Sequence, residues 1–229
     1  MSIHNAPEGD RLNKFLALHL GLSRREADAY IEKRKVTING AIAMLGARVL
    51  PDDSVQVGGK EVGRTEFLYL ALNKPVGYVC SRRAQGDNPT IYSLLPEQYH
   101  ALKPVGRLDK DSSGLLLLTN DGDLAYQMTH PKFYKVKIYE VQLDHPLEPL
   151  HQQMISDYGV QLEDGISKFM IEKLGEKAYK ITMSEGRNRQ IRRTFAALGY
   201  TVTKLHRTHF GDYSLGDIGV GKYKVINIS

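Results

Sequence analysis

Two hydrophobic periods alternate along the first third of the chain. From Arg11 to Leu20, the residues Leu12, Phe15, Leu16 and the pair His19-Leu20 fall at helical spacing, and Gly21 supplies a helix-ending residue. Ser23 stands three residues ahead of Glu26, a reciprocal capping pattern that predicts a second helix through about Lys33. The period then drops to two. Val36-Thr37-Ile38 running into Asn39-Gly40 predicts a strand entering a tight turn, and Ser54 to Val57, Gly58-Gly59 and Lys60 to Val62 predict another hairpin. The polar, glycine-rich stretch Gly58 to Glu66 gives way to Phe67-Leu68-Tyr69-Leu70-Ala71-Leu72, and the domain boundary is expected there. The expected division is 1–62, with 1–9 a flexible leader, and 63–229.

The larger part carries three further patterns. Leu115 to Leu118 is a continuous apolar run closed by Asn-Asp-Gly turn chemistry, which predicts a strand buried on both faces. Arg107, Asp109 and Asp111 crowd the segment that enters it. Val136 to Leu143 alternates, so Lys137, Tyr139, Val141 and Leu143 share one face of a strand. Near the end, Ile191, Phe195 and Leu198 recur at i, i+4 and i+7, predicting a packed helix that Gly199 terminates. Arg189, Arg192 and Arg193 fall on another face of that helix. From Arg187 to His209 there are six Arg and Lys and no acid, so this cluster is expected to face phosphate and a catalytic carboxylate.

Composition narrows the function. The 229 residues are 41% hydrophobic and 25% charged, enough apolar content for two globular modules. A net charge of +5 favours a polyanionic partner, because cations that neutralise phosphates release condensed counterions. A single cysteine, Cys80, forbids an intrachain disulfide and suits a reducing cytoplasm, where a soluble protein without membrane partner is expected. Neither a metal-ligand cluster nor a dinucleotide-binding glycine motif is evident, which is consistent with a reaction that needs no cofactor. No surplus apolar helix is evident, which leaves a monomer as the expected state.

The segment Gly106 to Gly122, GRLDKDSSGLLLLTNDG, resembles the signature of the RsuA/RluB-type ribosomal RNA pseudouridine synthases. The resemblance runs from about Arg11 to Lys224. Its implications begin with an α+β fold: a small alpha-L RNA-binding module of the ribosomal protein S-four-like type, followed by a mixed, mainly antiparallel sheet domain. Asp109 then falls on the catalytic Asp of the motif, Tyr139 on the active-site tyrosine of the Lys-x-Tyr-x-Val strand, and Arg192 on the basic residue that pairs with the catalytic Asp. Such an arginine would depress the pKa of Asp109 and keep it charged. Phosphate contacts are expected from Arg11, Arg24, Arg25, Lys33, Arg34 and Lys35 in the first module. Arg82 and Arg83, in the basic loop SRRAQGDNP, and Arg107, Arg187, Arg189 and Arg193 are expected to contribute others. The implied partner is ribosomal RNA, free or in a partly assembled subunit. Asn-Arg-Gln-Ile-Arg-Arg leans toward large-subunit members and Asn-Lys-Pro-x-Gly-Tyr-Val-Cys toward the small-subunit one.

The chain departs from the family at Val136, where an acid often stands, and at Ser112-Ser113, a conservative rewording of the motif. Two rivals remain open at the level of sequence. A non-catalytic ribosomal RNA-binding or assembly factor would keep the basic regions but has no use for the acidic strand entry. A hydrolytic glycosidase would use Asp109 and Asp111 as a carboxyl pair, yet the chain has no Trp for a sugar platform.

Overall fold

The computed structural model describes residues 9–82 and 86–227. Most of the expected leader and Arg83 of the basic loop therefore lie outside the described residues. The chain divides into two compact units, Met1–Leu68 with Asn120–Gly122, and Tyr69–Thr119 with Asp123–Ser229.

In the first unit, strand β1 (Asp10–Arg11) leads into α1 (Leu12–His19) and α2 (Arg24–Glu32). The capping pattern is realised in full: the Glu26 amide donates to Ser23 Oγ at 3.2 Å, and the Ser23 amide donates to Glu26 Oε2 at 2.7 Å. Two amides that the helix itself cannot satisfy are thereby paired, which contributes about 1 kcal/mol. Strands β2 (Val36–Ile38), β3 (Ala41–Ile42), β4 (Arg48–Val49), β5 (Val55–Val57) and β6 (Lys60–Glu61) follow. Their sheet runs β3-β2-β5-β6, while β1 pairs with β4. Asn39 and Gly40, at φ 50° and 83°, form the tight turn between β2 and β3, a left-handed pair that Asn-Gly tolerates best. Leu12, Phe15 and Leu16 of α1 meet Ala27 and Ile31 of α2 over Val36, Val49 and Val55, so the apolar stripes read from sequence close one small core.

The second unit is built on one large sheet. Its strands are β7 (Tyr69–Lys74), β8 (Lys103–Pro104), β9 (Ser113–Thr119), β10 (Lys137–Leu143), β13 (Met170–Lys173), β14 (Ala178–Met183), β15 (Val202–Phe210), β16 (Tyr213–Ser214) and β17 (Tyr223–Val225); β11 (Val160–Leu162) and β12 (Gly165–Ser167) form a separate hairpin. The main order is β13-β14-β10-β15-β9-β7-β17. Among its described strand pairs, β15 with β9 is parallel and the rest are antiparallel. This is the mixed, mainly antiparallel α+β architecture expected. Leu115 to Leu118 are buried at 0 to 3% exposure because β9 lies between β7 and β15 with both faces covered. Along β10 burial alternates as the pattern requires, with Tyr139, Val141 and Leu143 inside.

Helices α3 (Gly122–Thr129), α4 (Pro149–Gln153) and α5 (Gln190–Ala197) complete the unit. Helix α5 buries Ile191, Thr194 and Phe195 and ends at Gly199, whose φ of 88° is the left-handed stop. The parallel seam needs Gly114: it pairs with Arg207 at φ 104°, and a Cβ there would collide with the Arg207 backbone. No helix of the described residues is long and apolar enough to cross a membrane.

Candidate active site

The loop carrying Asp109 leaves β8 and enters β9, and a buried lysine fixes its shape. Lys74, at the end of β7 and 0% exposed, donates from Nζ to the carbonyl oxygens of Asp109 at 2.9 Å, Ser112 at 2.7 Å and Pro75 at 3.1 Å. Three carbonyls use the three protons of the ammonium, which offsets its desolvation. Burial nevertheless pulls the Lys74 pKa below its ordinary value, opposed by Cys80, Asp109 and Asp111. The Gly77 amide adds a bond to Lys110 O at 2.7 Å, and Cys80 Sγ lies 3.3 Å from Leu108 O. With its backbone held from behind, Asp109 keeps a half-exposed carboxylate.

The arginine placement differs from the expectation. Arg189 places Nη1 3.5 Å from Asp109 Oδ2 and donates from Nη1 and Nη2 to Asp111 Oδ1 and Oδ2, each at 3.0 Å. Arg192 instead sits with Nε 3.4 Å from Asp111 Oδ2, while its Nη2 donates to Asp111 O and its Nη1 to Val202 O, each at 2.8 Å. The ion pair expected between Arg192 and Asp109 is thus made by Arg189, one turn earlier. The reason is local: Arg189 caps α5 in the left-handed conformation, φ 46° and ψ 32°, which turns its side chain toward the loop. The carboxyl of Asp111 is held below the ordinary range, first by its hydrogen bonds from Arg189 and then by the charge of Arg192. Arg192 itself is lowered by burial.

Arg187 and Arg193 also find protein partners. Arg193 grips Asp164 at 3.1 and 2.7 Å, and Arg187 reaches the same carboxylate at 3.0 Å, the carbonyls of Asp164, Gly165 and Ile166, and Glu185 at 3.3 Å. Asp164 is depressed accordingly, with Arg193 the larger cause. The anions opposite these arginines are therefore the protein's own carboxylates: Asp109, Asp111 and Asp164, brought there from distant positions, and Glu185, two residues before Arg187. Arg82 likewise donates to the carbonyls of His100 and Ala101 at 3.1 and 2.6 Å and tethers its own loop.

One cleft of about 750 Å³ brings Asp109, Tyr139 and Arg107 together with Ser112, Lys137 and Arg207. Tyr139 is 8% exposed, so it is a core residue that also lines the cleft. Arg189 and Arg187 line the same space, and Arg107 is exposed. In the other unit Arg11, Arg24, Arg25, Lys33, Arg34 and Lys35 are all exposed, with Arg24 donating to Asn13 Oδ1 at 3.3 Å. Among the described residues no group of three His, Cys, Asp or Glu is placed to hold a metal.

Sequence reasoning missed Lys74 and Arg207. A lone lysine closing the buried strand Tyr69–Lys74 was the available signal for the first, and a lone arginine on the inward face of β15 for the second.

Residues 68–197 match the family of RNA pseudouridylate synthases, and residues 10–62 match the S4 domain. The ribosomal small subunit pseudouridine synthase A of Yersinia pestis is 38% identical over 221 residues, 93% of each chain. The ribosomal large subunit pseudouridine synthase B of Bacillus subtilis is 35% identical over 221 residues, 93% of this chain and 90% of that one. A crystal structure of a pseudouridylate synthase superposes with a TM-score of 0.68 at 34% identity, covering 95% of this chain and 96% of that one. The chain belongs to the RsuA/RluB-type pseudouridine synthases, isomerases with an N-terminal S4 domain.

Proposed function

We propose that this protein isomerises one uridine of ribosomal RNA to pseudouridine, with Asp109 as the reactive carboxylate and no cofactor. The observation that carries the reading is the convergence of Asp109 and Tyr139 on one cleft, behind which Lys74 holds the Asp109 loop by its carbonyls. The names of the relatives, which act on small- or large-subunit ribosomal RNA, support the substrate class.

The reaction breaks the bond from ribose C1′ to uracil N1, turns the base and joins C1′ to C5. No atoms are gained or lost, so neither metal nor organic cofactor is required. Asp109 has three uses open to it: attack on the sugar, addition to the base, or removal of a ribose proton. Arg189 Nη1 lies 3.5 Å from its carboxylate. Tyr139 stacks on or hydrogen-bonds the uracil, while Arg192 and Lys74 position the loop through Asp111 and the backbone. A uridine in folded RNA must first leave its stack, at a cost of a few kcal/mol. Phosphate contacts by residues 1–62, acting as the RNA-binding domain of a catalytic 63–229, offset that cost. Arg107 fills the vacated space or holds a phosphate at the exposed edge of the cleft.

Tritium release from ribosomal RNA labelled at uridine C5 tests this, followed by mapping of the modified position. Release by the wild type and none by Asp109→Asn is the expected result. Tight RNA binding without release from either subunit's RNA would instead make the protein a binding factor, and release of free uracil would make it a glycosidase.

A further inference from the structure

Arg207 is a buried cation with an unfinished hydrogen-bond set. It lies on β15 directly across from Tyr139 on β10 and from Gly114 on β9, and it is 2% exposed. Its Nε donates to Leu115 O at 2.8 Å, and its guanidinium lies 4.7 Å from the centroid of the Phe210 ring. Both contacts fix the plane of the group. Its Nη2 is buried without any hydrogen-bond partner, and among the described residues no carboxylate lies within 4 Å of the guanidinium. The contrast with Arg187, Arg189, Arg192 and Arg193 is sharp, since each of those has a carboxylate. A buried charge without a counterion costs several kcal/mol in a folded protein. A buried donor left unpaired calls for an explanation, and a ligand that completes the site is one.

The cleft that Arg207 lines is the one holding Asp109 and Tyr139. Lys137, in the same cleft, spends its ammonium on the carbonyls of Ser184 and Glu185 at 3.2 and 3.1 Å. Burial lowers the Lys137 pKa, and repulsion from Arg207 lowers it further, so the two cations share one region of positive potential. The cations available to phosphates, Arg107 and Lys132, are exposed, whereas Arg207 is reached only by what enters the cleft fully.

Resting on the isomerase reading above, we propose that Arg207 is a catalytic residue that binds a carbonyl oxygen of the uracil and stabilises the negative charge the base carries while it is detached. When C1′–N1 breaks, the electron pair stays with the uracil and its charge spreads onto O2 and O4, while C1′ is left as an oxocarbenium ion, an ester to Asp109 or, after loss of a ribose proton to Asp109, a glycal, each resolved when C5 bonds to C1′. Once C1′ has bonded to C5, the proton on C5 leaves and N1 takes up a proton, so the base is neutral again and the atoms balance. A donor placed before the reaction where charge develops stabilises that intermediate without reorganisation. The same donor favours a base with carbonyl acceptors over one presenting an amino group.

Arg207→Gln and Arg207→Lys test the assignment, each compared with wild type for thermal stability, RNA affinity across salt, and single-turnover pseudouridine formation. The expected result is a rate at least about 100-fold lower in Arg207→Gln, partly restored in Arg207→Lys, with RNA affinity and its salt slope unchanged. A wild-type rate in Arg207→Gln overturns the proposal, as does weaker RNA binding with a slope smaller by about 0.9, which would mark a phosphate contact. A second measurement needs no turnover: binding of 5-nitrouracil, anionic at neutral pH, against neutral uracil, followed by the wild-type Arg207 side-chain NMR resonances. Preference for the anion, with those resonances moving, supports the proposal even if both variants fail to fold or the wild type proves inactive on ribosomal RNA. Equal or undetectable binding of the two bases, in either of those cases, overturns it. Inactivity of the wild type with retained anion preference would overturn the isomerase reading alone.

Discussion

Arg24, Arg25, Lys33, Arg34 and Lys35 of the first unit are exposed and have no carboxylate within 4 Å among the described residues. Arg187, Arg189, Arg192 and Arg193 of the second unit each hold one, and their partners come from the Asp109 loop, the β11–β12 turn and Glu185. The same residue type thus serves two purposes. Cations left in water keep their charge available to a polyanion and discriminate weakly. Cations paired with carboxylates in fixed geometry lose much of that long-range pull and instead shape a loop.

The largest effect should come from the loop so shaped. Asp109→Asn is expected to lower pseudouridine formation by about 10²–10⁴-fold or more, whereas Asp111→Asn leaves measurable turnover. If Asp111→Asn were the inactive variant in the tritium assay, the reactive carboxylate would be Asp111 and the loop's two acids would exchange roles.

Lys74→Met should come next. It leaves the buried carbonyl of Ser112 without its donor, at about 1–3 kcal/mol, and removes one of the two donors to the Asp109 carbonyl, which keeps the Ser112 amide. A lowered denaturant midpoint together with reduced kcat is expected, and an unchanged kcat in the folded variant would detach Lys74 from the geometry of the site.

Salt separates the two arginine and lysine clusters further. Replacing Lys33, Arg34 and Lys35 with Ala should weaken RNA binding and reduce the slope of log K against log salt by about 0.9 for each phosphate no longer neutralised, with kcat at saturating RNA unchanged. Arg193→Ala should lose stability through the Asp164 pair and leave the slope alone. Equal slopes in both variants would erase the distinction between the two clusters.

The smallest effect is pH-dependent. The folded-state pKa of Asp111 is depressed by Arg189 and then Arg192, so the unfolded chain takes up this proton first. Its contribution to stability is present above the ordinary carboxylate value of about 4 and is lost as pH falls below it. Asp111 is exposed, and solvent screening keeps that contribution small. Acid unfolding of Asp111→Asn should therefore show a slightly shallower decline below about pH 4 than wild type.

Much of the fold was legible where local chemistry decides it. The Ser23 and Glu26 cap, the Asn39-Gly40 turn, the Leu115 to Leu118 strand and the α5 stripe ended by Gly199 all depend on residues within a few positions of one another. The site was legible as a set of residue types but not as a set of pairs. Arg189 and Arg192 stand three residues apart, and nothing in that spacing says which meets Asp109, because that depends on the left-handed cap at Arg189 and on Asp111 competing for both. That Arg187 and Arg193 meet a carboxylate was illegible for a related reason: Asp164 lies more than twenty residues earlier in sequence and only the folded hairpin brings it opposite.

The sequence by itself determined the elements, the two-part composition of the chain and the motif that carries Asp109, since these follow from short-range periodicity, turn stereochemistry and residue identity. Tertiary structure decided which charges are spent and which stay free. It placed Lys74 beneath the Asp109 loop and left Arg207 buried with a donor unpaired. Charge pairing acts over a few ångströms in space and takes no account of separation along the chain, so no local pattern of residues encodes it.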